Sequence, residues 1–78
     1  MSAYDMTVLA DPRVTPHGEG FDVAISSGCF HVGLNRRLLW SASDIHTGAP
    51  VELVSRPGCE TAGEAVAAVL GSDEAAAR

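Results

Sequence analysis

The chain has 78 residues, 46% of them apolar, with ten acids against five arginines and no lysine, for a net charge of −5 at pH 7. That length makes one domain over 1–78 with a small core and little room for a deep catalytic cleft, and the apolar share excludes a disordered chain. The acidity argues against direct binding to nucleic acid or to an anionic membrane surface, both of which are normally met with clustered Lys and Arg.

The first ten residues, ending in MTVLA (6–10), offer a short first strand or an arm. The N-terminus lacks the basic start and long apolar run of a secretory signal, and no apolar run approaches the ~20 residues that span a bilayer. A cytoplasmic location with reduced thiols is therefore expected. DPRVTPHGEG (11–20) carries two prolines and two glycines and reads as a loop. FDVAIS then alternates, with Phe21, Val23 and Ile25 on one face and Asp22, Ala24 and Ser26 on the other. FHVGL alternates too, with Phe30, Val32 and Leu34 set against His31 and Gly33. LLWSA and PVELVS supply two further half-buried strands.

Loop lengths are chosen so that each apolar face stays whole, because a one-residue slip would flip it. A four-residue loop over 26–29 sets Ile25 opposite Phe30, Val23 opposite Val32 and Phe21 opposite Leu34. A three-residue loop over 35–37 sets Leu34 opposite Leu38, Val32 opposite Trp40 and Phe30 opposite Ala42, although the left-handed position of such a loop has no glycine here. Trp40 is expected in the core. Thr61 and Glu64 form a T-x-x-E capping box. Ala62, Ala65, Val66, Val69 and Leu70 follow as a buried helical stripe. Gly71 reads as the C-cap, with 72–78 a frayed tail or a short extension. The fold class is α+β: a small antiparallel β-meander of three to four strands with one C-terminal helix packed on one face. The opposite face carries Asp22, Ala24, His31, Gly33, Leu39, Ser41, Glu52 and Val54.

Chemistry-bearing residues are sparse. Cys29, His31, His46 and Cys59 are zinc-ligand types, but their spacing matches no finger or ribbon and there is no C-x-x-C knuckle. A Cys29–Cys59 bridge would staple the first hairpin to the start of the helix, against the expected reducing location, so two unpaired thiols and no cofactor are expected. No nucleophile, phosphate-loop or metalloprotease motif is present, and no enzymatic activity is expected. Arg36 and Arg37 make a cationic hairpin tip suited to gripping an anion. The acids Asp22, Asp44, Glu52, Glu60 and Glu64 come from separate elements and, with Arg36 and Arg37, are the candidate partner-binding set.

In its length, its acidity, its lack of lysine and its meander-plus-helix plan, the chain resembles the small phage-encoded anti-CRISPR inhibitor proteins. The resemblance implies a non-enzymatic protein that acts in the host cytoplasm. It would dock an acidic, partly apolar surface on a larger protein or nucleoprotein effector that handles nucleic acid. The alternatives are a small structural or homo-oligomeric phage or bacterial protein built through an exposed edge strand, and a zinc- or disulfide-stabilised domain.

Overall fold

The computed structural model of the chain describes residues 3–51 and 58–76. Its elements are α1 (Ala3–Leu9), β1 (Val14–His17), β2 (Gly20–Ile25), β3 (Gly28–Leu34), β4 (Trp40–Asp44) and α2 (Ala62–Ala76). The four strands form one antiparallel sheet in the order β1-β2-β3-β4. Helix α2 lies across one face, as the α+β reading expects.

The core forms where the two apolar patterns meet. Val23, Val32, Val66 and Val69 are fully buried, and Val14, Phe30, Ala42, Ala65 and Leu70 complete the cluster. All five residues of the expected helical stripe are buried. The small alanines let α2 sit close to the sheet, and each fully buried valine stabilises the domain by roughly 1.5–3 kcal/mol. Thr61 caps α2, its Oγ1 accepting from the Glu64 N–H at 3.2 Å. Trp40 is half-buried rather than central and packs at the edge of the core, its ring 6.4 Å from that of Phe21.

The N-terminal part differs from the expected strand and loop. Residues 3–9 form α1, which packs beside α2 and sends Val8 and Leu9 to the core. A short apolar run fits either element, and here the sheet edge that a strand would need is taken by β1. The segment expected to be a loop holds β1, joined to β2 by a two-residue turn over Gly18 and Glu19. Gly18 has φ 61°, the left-handed first position that such a hairpin gives to glycine. Pro16 is tolerated because β1 is an edge strand.

Both loop lengths also change. The β2–β3 turn has two residues, with Ile25 opposite Gly28, Val23 opposite Phe30 and Phe21 opposite Val32. The β3–β4 loop spans 35–39, with Leu34 opposite Trp40 and Val32 opposite Ala42. Each register is displaced by two residues from the expected one, which keeps the apolar residues of the paired strands on their face while changing every pair, and Leu38 and Leu39, expected in the strand, fall in the loop. In the longer loop, Asn35 Oδ1 accepts from the backbone N–H groups of Arg37 and Leu39. Leu38 takes the left-handed position without a glycine, at φ 61°, with its side chain 77% exposed.

Helix α2 runs through Gly71, the expected cap, to Ala76. The reason lies outside the helix. Asp73 accepts from the N–H and the hydroxyl of Ser26, at 3.1 and 2.6 Å, and from Arg13 at 3.0 Å. Arg13 is held in turn by Asp11. The network fastens the last turns of α2 to the β2–β3 turn and to the start of β1. A Cβ at Gly71 would meet nothing within 4 Å. Gly71→Ala should therefore stabilise the domain by about 0.5–1 kcal/mol, read as a raised urea midpoint with an unchanged slope.

The expected strand over 51–54 falls mostly outside the described residues. Pro50 bridges Ser43, the Val51 N–H donates to the Ala42 carbonyl at 3.1 Å, and Trp40 and Cys59 exchange two backbone hydrogen bonds. The outer edge of β4 is thus covered, and the edge at β1 is four residues long and carries a proline. Both edges are poor templates for strand-to-strand assembly.

Candidate functional site

The face of the sheet opposite α2, which no described element covers, is polar. Thr15, Asp22, His31 and Ser43 form one cross-strand row, and His17, Gly20, Gly33 and Ser41 form the next. Asp22, Ala24, His31, Gly33 and Ser41 lie on this face as expected. His17, expected in a loop, joins them because β1 is a strand.

Three side chains meet where the rows adjoin. Asp22 Oδ2 is 2.7 Å from His17 Nδ1, and Asp22 Oδ1 is 2.8 Å from His31 Nδ1. The two rings stand edge to face with centroids 5.9 Å apart. The hydrogen bond from His31, reinforced by that from His17, holds the Asp22 carboxyl below the ordinary carboxylate range, against a partial desolvation that works the other way. An ionised carboxylate only accepts, so each Nδ1 carries the shared proton. His17 is 71% exposed, His31 37% and Asp22 29%, so His31 is the firmly seated ring of the pair.

Glycine makes that seat. A Cβ at Gly20 would collide with the Val32 carbonyl oxygen and stand 2.9 Å from the His31 ring, and one at Gly33 would stand 3.0 Å from His31 Nε2. The Nε2 edge of His31 is therefore turned over the two glycines, and its Nδ1 edge faces Asp22.

The His–Asp–His group borders an open hollow of ≈500 Å³, whose lining includes His17, Glu19, Asp22, His31, Asp44 and Ile45. An adjoining hollow of ≈360 Å³ extends over Gly20, Gly33, Ser41 and Ser43. Asp44 Oδ1 accepts from the backbone N–H groups of His46 and Thr47, at 2.8 and 3.2 Å, so this acid also shapes the turn after β4.

Of the acids expected to bind a partner, the structure brings Asp22 and Asp44 to one hollow. Glu60 and Glu64 are exposed at the start of α2 and line neither hollow. Glu52 lies outside the described residues. Arg36 and Arg37 are exposed in the β3–β4 loop, as a hairpin tip requires. Glu19, absent from the expected set, lines both hollows. The alternation of V-T-P-H (14–17) before a Gly-X pair is the sequence signal for a hairpin carrying His17 and Glu19.

The zinc set considered from sequence is not assembled. Both cysteines are free. Cys29 is exposed, two residues before His31 on the open face, whereas Cys59 packs against the core. Burial, with Glu64 nearby, pushes the Cys59 thiol up and makes it a poor thiolate. Among the described residues, the one group of three metal-ligating side chains is His17, Asp22 and His31.

No protein-family model matches the chain, and no curated protein or solved structure matches it either.

Proposed function

We propose that the chain is a non-enzymatic binding protein that docks its open sheet face on a basic surface of a larger, nucleic-acid-handling effector and so inhibits it, in the manner of the anti-CRISPR proteins it resembles. The observation that carries this reading is the convergence of Glu19, Asp22 and Asp44, from three different parts of the meander, on one open hollow beside the exposed Ile45. An arginine or lysine side chain of the partner fits such a hollow. The net charge of −5 would speed encounter, and the apolar rim would hold the complex. Blunted sheet edges favour docking by the face over assembly by an edge.

The test compares two variants with the same change in charge. Glu19→Lys with Asp44→Asn alters the hollow while keeping a side-chain cap for the turn. Glu60→Lys with Glu64→Gln alters the start of α2. Each is immobilised and offered host lysate at low and high salt, and the affinity of any nucleic-acid-handling protein retained by wild type is then measured directly. The hollow variant should bind that protein at least tenfold more weakly, and the helix variant should bind it like wild type. Equal binding by all three proteins would sink the reading.

A further inference from the structure

We propose that His17, Asp22 and His31 form a binding site for a divalent transition-metal ion of the zinc class. The site shares Asp22 and its hollow with the docking role above but does not rest on that role, and it differs from the Cys/His set that the sequence suggests.

Four observations carry the assignment. The donors are two imidazole nitrogens and one carboxylate oxygen, a set that suits zinc and its first-row neighbours rather than calcium or magnesium, which take oxygen. The three ligand atoms lie within 4.8 Å of one another. Ligand atoms around a tetrahedral zinc stand about 3.3 Å apart, given metal–ligand distances near 2.0–2.2 Å. The present N···O separations, 2.8 Å from His31 Nδ1 to Oδ1 and 2.7 Å from His17 Nδ1 to Oδ2, are to different oxygens of Asp22, so the exposed His17 ring must turn to bring donors that lie within 4.8 Å of one another onto one ion. Finally, the fold selects the nitrogen. With the Nε2 edge of His31 over Gly20 and Gly33, Nδ1 is the atom presented beside the Asp22 carboxylate.

Binding replaces a shared proton by the metal at each ring. The Nδ1 proton leaves for solvent and Nε2 takes up one proton from solvent, so each neutral ring binds as its Nε2–H tautomer with no net proton released. Three protein ligands leave a fourth position facing the hollow, where water or a side chain of a bound partner completes the coordination.

The experiment is a calorimetric titration of the full chain, reduced and at neutral pH, with zinc chloride alone. The proteins are wild type, His17→Ala, His31→Ala, Asp22→Asn and His46→Ala, with circular dichroism to confirm that each is folded. Cobalt(II) is then substituted and its absorption recorded. The expected result is one zinc per chain, affinity lowered at least tenfold in each of the three site variants, and no change in His46→Ala. The cobalt spectrum should lack thiolate-to-metal charge transfer. Absence of binding at millimolar zinc overturns the site. So does undiminished binding in the site variants, an equal loss in His46→Ala, or a thiolate signature. A folded Asp22→Asn that loses zinc while His17→Ala and His31→Ala retain it overturns the imidazole assignment.

Discussion

Gly20→Ala should destabilise the domain by about 1–3 kcal/mol and unseat His31, the largest effect expected of any substitution on the open face. The added methyl group meets a backbone atom, the Val32 carbonyl oxygen, which cannot rotate away. Strands β2 and β3 must part locally, at the row beside Phe21 and Val32, directly behind the buried core. A domain of this size has a stability near the lower end of the usual ~5–15 kcal/mol, so the loss is a large fraction of the total. Gly33→Ala is the informative comparison. Its Cβ would meet only the His31 ring, which can shift, so that variant should lose much less stability. Urea unfolding gives the energies, and the imidazole NMR signals of His31 report its seat. Equal stability of Gly20→Ala and wild type, with those signals unchanged, would show that β2 and β3 leave room for a methyl group at Gly20.

Acid should loosen the domain through the network that fastens α2. Asp11 is lowered to about 2 by its side-chain and backbone hydrogen bonds from Arg13. Asp73 is lowered by its two hydrogen bonds from Ser26 and by Arg13. In the unfolded chain both carboxyls return to about 3.9. The unfolded state therefore binds more protons between these values, and stability rises with pH across that window. The contribution is complete above about pH 5 and falls as pH drops through 4; the part from Asp11 is gone below its folded-state value of about 2, and the part from Asp73 is lost as pH falls through its own lowered value. Thermal midpoints measured from pH 6 to pH 2 should show this decline. In Asp73→Asn the decline should be shallower, from a lower starting midpoint at pH 6. High salt should shrink the difference between the two proteins, because these are partly exposed pairs. Parallel curves for wild type and variant would mean that the network does not hold the helix.

The network also carries α2 past the end that Gly71 marks in the sequence. Gly71 has the composition signature of a helix end, and nothing local contradicts it. The helix continues because Asp73 finds Ser26 and Arg13, 47 and 60 residues away. The N-terminal hairpin is a different case. Two prolines and two glycines in ten residues read as a loop over 11–20, whereas the structure places β1 and a two-residue turn over Gly18 and Glu19 there. An edge strand tolerates those residues; a central strand would not.

The amino-acid sequence by itself determined the faces. Strict alternation placed Phe21, Val23, Phe30 and Val32 on one side and Asp22 and His31 on the other, and the stripe from Ala62 to Leu70 marked what would cover the apolar side. These are parity and periodicity rules, and they survive any shift of a strand by two residues. For that reason they could not choose the register. The expected loop over 26–29 would have set Asp22 opposite Gly33 and His31 opposite Ala24. The two-residue turn over Ser26 and Ser27 sets Asp22 opposite His31 instead, and β1 brings His17 to the other oxygen of the same carboxylate. Either register keeps these apolar residues on one face, so alternation leaves the choice open. Turn geometry and long-range contacts such as Ser26 with Asp73 decided it, and with it the site.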